Sequence, residues 1–288
     1  MRPVSSLTII ALVALAACAP TPEQASPALW QVESPKGEQA FLFGTIHALE
    51  RPALWRSAKV DASIKASDRI VVEVAALADG ARMTGIFKRL STTPNLPPLS
   101  QRVAPALRER LEQLLDKGGF REAQFAQTES WAAALMLARA GADGRDSEYG
   151  IDRAVLQTKK DKTVIELEGA EGQLGLFDTL PEKEQRDLLE AVIRDAGALE
   201  TETADLAEAW RKGDIAAIER ETHRGLLADP ELRAALFTNR NRRWAEQIAA
   251  MMAAGEKPFV AVGTAHLAGS EGLTALLEAR GYKVTRVQ

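Results

Sequence analysis

Two histidines end copies of one tetrapeptide, Gly-Thr-x-His. The chain has only three histidines; His47 ends the first copy, near the amino end, and His266 ends the second, near the carboxyl end. An imidazole nitrogen ligates divalent metals such as zinc, and it also accepts a proton near neutral pH. The repetition therefore predicts that His47 and His266 serve one site. The third histidine, His223, lies in a charged helical segment, where we expect it to be solvated.

Carboxylates lie in two short apolar runs that are typical of buried strands. Glu73 lies in IVVEV, and Glu166 and Glu168 lie in VIELE. A buried carboxylate is costly unless a cation or a metal accompanies it, so Glu73 is a candidate for the same site. Glu168 is a candidate for substrate binding. Alternatively, Glu166 or Glu168 caps the helix that is expected to begin near Gly169.

Two imidazoles and a carboxylate suit a divalent metal such as zinc, manganese or iron. We predict that His47, His266 and Glu73 bind such a cofactor. An open coordination position would then activate water for hydrolysis. Without a metal, the same side chains could supply a general base and the carboxylate that orients it. The stretch RNRRW, which includes Arg243, either orients an anionic group of the substrate or forms a solvated basic face.

Such a site needs a scaffold that brings distant segments together, and the hydrophobic pattern indicates one. Strand and helix patterns alternate at both ends of the chain, and the middle is rich in helical patterns. We predict an α/β fold whose central, mostly parallel sheet is built from two related halves, with a large helical insertion between them. Ligands bind outside the carboxyl ends of strands in such sheets, so His47, Glu73, Glu168 and His266 should share one edge.

The glycine and threonine of each tetrapeptide have expected structural roles. Gly44 and Gly263 each stand at the end of an apolar strand pattern. Glycine there is expected to adopt a backbone angle that other residues resist and to let the turn approach a ligand or a neighbouring strand closely. The threonine hydroxyl is expected to bond the turn backbone, which would present the histidine from a stiff base.

The first residues have the features of a bacterial lipoprotein signal. Residues 1–17 contain Arg2 and the apolar run LTIIALVALAA, which is too short to span a bilayer comfortably. Small residues lead directly to Cys18, the single cysteine of the chain. We predict that the signal is cleaved before Cys18 and that the thiol carries the lipid anchor. The alternative is an ordinary secretory signal, in which Cys18 has no role.

The same segment predicts where the protein acts. Ala19, rather than an aspartate, follows Cys18, and by resemblance to known sorting rules this favours the inner leaflet of the outer membrane. We therefore expect a periplasmic, lipid-anchored protein. Residues 18–28 are rich in proline and are expected to be a structureless tether. The formal net charge of −4 argues against a nucleic-acid partner, which normally requires a basic face.

The rest of the chain is predicted to be one domain. Residues 29–288 carry the α/β pattern, and helical patterns dominate at about 80–150 and 181–254. No other segment is long and apolar enough to span a membrane.

Several motifs together resemble the TraB/GumN family, which includes the TIKI metalloproteases. The resemblance rests on FLFGTIHAL, IVVEV, YGIDRAVLQ, VIELEGAEGQLGLFDTLP, RNRRWAEQI and FVAVGTAHLAGSEGLTALLEARGYKVTRV. It implies a fold related to erythromycin esterases and haem-binding ChaN-like proteins. It also implies metal-dependent peptide cleavage by His47, Glu73 and His266, with Arg243 or a neighbouring arginine as a further candidate.

Two classes of function therefore remain open. The first is a metal-dependent protease or hydrolase that cleaves a peptide or ester bond of an unidentified substrate in the periplasm. The second is a non-catalytic envelope lipoprotein that binds haem, metal or a polymer through the same histidines. Only Tyr149 and Tyr282 could serve as tyrosine ligands, which counts against haem. The chain also lacks the HExxH helix of common zinc proteases.

The lipid anchor can be tested by replacing Cys18 with serine. Because a serine hydroxyl cannot accept the lipid, the Cys18→Ser protein should move from the membrane fraction to the soluble periplasmic fraction. Fractionation in high salt, followed by immunoblotting, measures the distribution. A variant that stays with the membranes in high salt contradicts the prediction.

Overall fold

The computed structural model describes residues 20–141, 146–195 and 199–288. The predicted signal at 1–17 and the predicted lipid-bearing Cys18 lie outside the described residues. Within those ranges, no helix combines the length and the apolar composition needed to cross a membrane.

Within the described residues, eight strands form two sheets. Six strands form the central sheet, and a pair of two-residue strands forms the second. The strands are β1 (Glu23–Gln24), β2 (Leu29–Glu33), β3 (Gln39–Thr45), β4 (Ala53–Leu54), β5 (Arg69–Val72), β6 (Thr163–Glu166), β7 (Pro258–Gly263) and β8 (Lys283–Arg286).

The central sheet is mostly parallel, as predicted. Its strand order is β6–β5–β7–β3–β2–β8. The neighbours β6, β5, β7 and β3 run parallel to one another, whereas β2 is antiparallel to both β3 and β8. Strands from the two ends of the chain are interleaved, because β7 lies between β5 and β3. The carboxyl ends of four parallel strands therefore meet at one edge.

Most of the helices lie between β5 and β7, so the predicted helical insertion is confirmed. The α-helices are α1 (Ala58–Ala66), α2 (Gly80–Leu90), α3 (Arg108–Lys117), α4 (Ser130–Gly141), α5 (Ile151–Leu156), α6 (Gly169–Asp178), α7 (Glu182–Asp195), α8 (Leu199–Lys212), α9 (Ile215–Glu221), α10 (Pro230–Arg233), α11 (Asn239–Ala253) and α12 (Leu273–Glu278). A π-helical turn, Ala234–Thr238, joins α10 to α11.

Both faces of the central sheet are covered, which explains the continuous apolar runs of its inner strands. Phe41 and Phe43 of β3 pack on one face with side chains from α1, α5 and α8. Ala40 and Leu42 pack on the other face with side chains from α11 and α12. A third apolar cluster, centred on Trp131 of α4, lies within the helical insertion and gives it a core of its own.

The structure differs from the sequence prediction at the end of the expected tether. Glu23–Gln24 pairs in parallel with Ala53–Leu54, and the guanidinium of Arg211 lies 2.8 Å from the Glu23 carboxylate. Ala28 is fully buried. The prediction of a structureless tether is therefore wrong for residues 23–28, because strand pairing and an ion pair hold them against the domain.

The two tetrapeptides interlock where β3 and β7 leave the sheet. A Cβ atom on Gly44 would lie only 2.5 Å from Oγ1 of Thr264, and this hydroxyl donates to the Thr45 carbonyl oxygen at 2.9 Å. Neither Gly44 nor Gly263 has a positive φ. The expected unusual backbone angle is therefore wrong for both glycines, and close approach explains Gly44. The Thr264 hydroxyl bonds backbone as predicted, whereas the Thr45 hydroxyl donates to the Asp152 carboxylate instead.

Replacing Gly44 with alanine should therefore destabilise the fold. The added methyl group has no space beside Thr264, and overpacking of this kind costs about 2 kcal/mol of unfolding free energy. Gly85→Ala is the matched control, since no atom lies within 4 Å of its Cβ position in α2; alanine there should add up to about 1 kcal/mol. Urea unfolding measures both changes. Equal unfolding free energies for Gly44→Ala and the wild type would contradict the interlock.

Candidate active site

The candidate site residues predicted from the sequence lie at the ends of four neighbouring strands. His47 follows β3, Glu73 follows β5, Glu168 follows β6 and His266 follows β7. These strands lie side by side and parallel, so all four residues lie at the carboxyl edge of the sheet. The predicted common edge is confirmed.

Three of these side chains converge on Gly263. A Cβ atom built on Gly263 would lie 3.4 Å from Oε1 of Glu73, 3.7 Å from Cδ2 of His266 and 3.9 Å from Cε1 of His47. The backbone N–H of Gly263 also donates to Oε1 of Glu73 at 2.8 Å. Gly263 thus leaves open the space that the two imidazoles and the carboxylate face.

A buried carboxylate holds the imidazole of His47. Nδ1 of His47 lies 2.9 Å from Oδ2 of Asp152, a residue of α5. The attraction of this carboxylate, together with the hydrogen bond, raises the pKa of His47 to about 9. Because 72% of the His47 side chain is exposed, water screens part of the attraction and limits the rise. The imidazole is therefore cationic at neutral pH, with Nδ1 occupied by Asp152.

The pKa of Asp152 is correspondingly lowered. Burial alone would raise the pKa of this carboxyl, but the charge of His47 and the hydrogen bonds from His47 and Thr45 outweigh it. Asp152 lies within YGIDRAVLQ, but the sequence predicts no role for it. A helical Asp gives no local sign that it will face a particular histidine, so only the packing of α5 against the end of β3 reveals it.

His266, unlike the exposed His47 beside its carboxylate, is buried among aromatic rings. Its side chain is buried, packed between Phe237 and Trp244, with ring centroids 5.3 Å and 4.6 Å away. Nδ1 of His266 lies 2.6 Å from Oδ1 of Asn241. Nδ2 of Asn241 donates to the carbonyl oxygen of Glu271, which fixes the orientation of the amide. This network assigns the proton of His266 to Nδ1 and makes Nε2 an acceptor, which Nη1 of Arg240 faces at 3.5 Å.

His266 is neutral at physiological pH. Burial, followed by the positive charge of Arg240, holds the pKa of His266 well below its ordinary value. Nη1 of Arg240 lies 3.5 Å from Nε2 of His266. The two histidines of the same tetrapeptide thus differ in charge.

Arg240 occupies the centre of an ion-pair network. Its Nη2 donates to Oε2 of Glu73 at 3.0 Å and to Oε2 of Glu168 at 2.9 Å. The guanidinium also stacks over Trp244, with 4.7 Å between its central carbon and the ring centroid. The prediction that Glu73 needs a cation is confirmed, because Arg240 supplies the charge.

The sequence predicts Arg243 or a neighbouring arginine of RNRRW for the site, and Arg240 is the arginine that contacts Glu73 and His266. The side chain of Arg243 is 49% exposed, and its nearest carboxylate contact is Glu168 at 3.6 Å. A signal for Arg240 does exist in the sequence. Arg240 precedes Trp244 by four residues, so the two share one face of α11, and the apolar pattern of Trp244 marks that face as buried.

Glu166, the last residue of β6, and Glu168, which follows the strand, have different hydrogen-bond partners. Glu168 accepts hydrogen bonds from Arg240 through both oxygens, and its predicted role in substrate binding stays a prediction. Oε1 of Glu166 accepts from the backbone N–H of Ala75 at 2.6 Å, so this side chain stabilises the turn after β5.

The donor set partly fits the divalent metal that the sequence predicts. In the described part of the chain, no group of three or more His, Cys, Asp or Glu side chains is already arranged to hold an ion. Each imidazole nevertheless has Nδ1 held by an oxygen acceptor, which is how metal-ligating histidines are usually oriented. Nε2 of each ring is left for another partner. Glu73 would have to exchange Arg240 for the ion, and Glu168 would remain to pair with Arg240.

Two cavities meet at His47. The first, of about 210 Å³, is lined by Glu73, Asp152, Arg153 and Gln173 together with aliphatic side chains such as Val74 and Leu77. The second, of about 150 Å³, is lined by both histidines and by apolar side chains. The site is therefore open to a ligand on two sides.

Replacing Asp152 with asparagine should lower the pKa of His47 from about 9 toward 6.5, because the carboxylate that favours the cation is removed. A histidine whose pKa is raised by folding stabilises the fold below its unfolded pKa, and this stabilisation is lost as the pH rises through the folded value. The wild type should therefore lose unfolding free energy between pH 6.5 and pH 9, whereas Asp152→Asn should lose less.

NMR titration of the imidazole signals and urea unfolding at several pH values test this expectation. Asp116→Asn, an exposed position on α3, removes the same charge outside the site and serves as the control. An unchanged His47 titration in Asp152→Asn would show that the carboxylate does not set the charge of the imidazole.

The profile of the TraB/PrgY/gumN family matches residues 28–286. Two curated relatives, the uncharacterized protein YbaP of Shigella flexneri and of Escherichia coli (strain K12), are each 29% identical over 153 residues, which make up 52% of this chain and 55% of the relative. The chain thus spans about half the length of these relatives. No solved structure matches it significantly. The profile covers both tetrapeptides and every strand of the central sheet, and on this ground the chain belongs to the TraB/PrgY/gumN family.

Proposed function

We propose that the protein is a metal-dependent hydrolase of peptide or ester bonds, with a divalent ion such as zinc or manganese held by His47, His266 and Glu73. The observation that carries the proposal is the convergence of these three side chains on the open space at Gly263. An ion at such a site supplies Lewis acidity and lowers the pKa of water from near 16 to about 7, which yields a nucleophile without a serine or a cysteine.

Residues behind the histidines support this role. Asp152 holds Nδ1 of His47 and Asn241 holds Nδ1 of His266, so each Nε2 is left for a ligand. Oriented rings need less reorganisation when they bind an ion or a substrate atom, which strengthens binding. His47 must release its proton before its nitrogen can ligate a metal, so binding should weaken as the pH falls.

The charges of the site also favour a cation. Glu73 and Glu168 together carry one negative charge more than Arg240 neutralises, while Asp152 is balanced by the His47 cation. Glu73, Glu168 and Arg240 are largely buried, so water screens their charges weakly and the excess attracts a positive ion.

Arg240 is suited to stabilise the substrate as it reacts. The guanidinium is fixed by two carboxylates and by Trp244, and Nη1 lies beside Nε2 of His266. A donor that is already fixed near a reacting carbonyl stabilises the developing oxyanion without reorganisation. We therefore assign Arg240 a role in binding the carbonyl oxygen of the scissile bond, through the Nη2 N–H that Glu73 would release when it binds the ion.

The proposed setting is the periplasmic face of the outer membrane, with the lipid on Cys18 as the anchor. Membership in the family does not determine where the protein is located, and the names of the matched relatives state neither a location nor an activity. The proposal rests on the apolar run before Cys18 and on Ala19 after it.

Binding without turnover is the second candidate, in which the histidines hold haem, a metal or an envelope polymer. The favouring observation is that both oxygens of Glu73 already have partners. Oε1 accepts from Gly263, and Oε2 accepts from Arg240 and from Gln173. A carboxylate engaged in this way can remain structural while the imidazoles bind a ligand.

The test combines elemental analysis with a peptide and ester library, each run on the wild type, His47→Ala, His266→Ala and His223→Ala. We expect bound metal and chelator-sensitive hydrolysis in the wild type, because two imidazoles and a carboxylate leave a position for water. Each site variant should lose at least about tenfold in metal affinity and activity. His223→Ala is the matched control, since this third histidine is exposed.

The outcomes separate the candidates. Metal binding without chelator-sensitive turnover favours the binding lipoprotein. Turnover that survives chelation favours a metal-free site in which a histidine is the general base. Retained turnover in both His47→Ala and His266→Ala would refute the assigned site.

A further inference from the structure

The smaller of the two cavities has a composition unlike that of the rest of the site. It has a volume of about 150 Å³ and adjoins His47 and His266. Leu206, Trp210 and Ile218 contribute its apolar wall from α8 and α9. Because the cavity and the three converging side chains share the histidines and Gly263, a group bound there lies directly beside the reacting centre.

The polar side chains in this wall are already bonded to other parts of the protein. Nε1 of Trp210 donates to the Gly44 carbonyl oxygen at 3.0 Å, which also fixes the indole ring. The hydroxyl of Thr45 donates to Asp152, and the hydroxyl of Thr264 donates to the Thr45 carbonyl oxygen. Apart from the two imidazoles and the hydroxyl oxygens of Thr45 and Thr264, the lining side chains therefore offer a ligand apolar surface without any charged group.

The larger cavity provides the contrast. It contains two carboxylates, Glu73 and Asp152, together with the donors Arg153 and Gln173. His47 lines both cavities. A molecule that extends past His47 therefore meets charged groups among aliphatic side chains in the larger cavity, and a wall without carboxylates or guanidinium groups in the smaller one.

The size of the apolar cavity limits what it can hold. A dry cavity of 150 Å³ lined by aliphatic and aromatic side chains is large enough for benzene. The side chains of leucine, isoleucine and phenylalanine are of this size, whereas the methyl group of alanine would leave most of the space unfilled. Each buried CH₂ group improves binding, so filling the cavity gives selectivity.

We propose that this cavity is the specificity subsite for an apolar side chain of leucine to phenylalanine size, next to the bond that is cleaved. This inference rests on the proposed function and deepens it, because it names the substrate class. The substrate is a peptide or ester with a branched aliphatic or aromatic group at the scissile bond and polar groups beyond it. The sheet supplies the histidines, and the helical insertion supplies the selectivity.

Leu206→Trp tests the subsite without changing the tetrapeptides. Leu206 is half-buried, so a larger ring can extend into the cavity. The probes are N-acetyl-leucinamide and N-acetyl-alaninamide, titrated into the full-length wild type and followed by NMR. We expect the wild type to bind the leucinamide at least about tenfold more tightly. Leu206→Trp should bind the two equally, whereas the control Leu54→Trp, which adds the same ring at an exposed position, should behave like the wild type.

A second variant covers the case in which Leu206→Trp does not fold. Leu206→Ala enlarges the cavity, so N-acetyl-tryptophanamide should bind at least about threefold more tightly than to the wild type. Where turnover is measurable, the ratio of kcat/KM for leucyl substrates to kcat/KM for glycyl substrates should fall at least about tenfold in Leu206→Trp, because a glycyl group does not fill the cavity.

The binding and turnover measurements distinguish a failure of the subsite proposal from a failure of the hydrolase proposal. Equal affinity of the wild type for both amides, or a leucine preference that survives in folded Leu206→Trp, overturns the subsite whatever the catalytic result. In another outcome, the wild type prefers the leucinamide, Leu206→Trp loses this preference, and no member of the library is hydrolysed. That combination of results supports the subsite and overturns only the proposed hydrolase activity.

Discussion

The structure of the site depends on the burial of one guanidinium. Arg240 is 8% exposed, and a charge in that position is tolerated only when partners replace the lost water. Glu73 and Glu168 supply two carboxylates, and the Leu236 carbonyl of the π-helical turn accepts from Nη1 at 3.0 Å. These partners come from the ends of two strands and from the segment before α11. The ion-pair network therefore fixes α11 against the carboxyl edge of the sheet, and α11 in turn carries Asn241 and Trp244 to His266.

Much of this arrangement could be predicted from the sequence, because it follows from local pattern. Continuous apolar runs indicate strands covered on both faces, and residues that follow parallel strands must meet at one edge. The positions of His47, Glu73 and His266 follow from these two rules alone. The role of Asp152 and Arg240 does not, because both are helical side chains whose partners depend on how helices pack against the sheet. The ordered segment at 23–28 was missed for the same reason, since its strand partner lies elsewhere in the chain.

Identical tetrapeptides lead to different electrostatics because their partners come from tertiary structure. His47 faces a carboxylate and water and is cationic, whereas His266 faces an amide, an arginine and two aromatic rings and is neutral. Without a metal, the pair is therefore already divided into a proton donor and a proton acceptor on either side of Gly263.

This division also determines how an ion could enter. In the proposed metal site, His266 would ligate through Nε2 without losing a proton, because its proton is held on Nδ1 by Asn241, but Nη1 of Arg240, 3.5 Å from Nε2, would have to move aside. His47 can ligate only after it loses a proton that Asp152 stabilises, so an entering ion must provide that energy. Once His47 is neutral, Asp152 adds a second uncompensated negative charge close to the site, and this charge strengthens the attraction for the ion. In the proposed metal site, the carboxylate that opposes the first step of binding would thus favour the completed site.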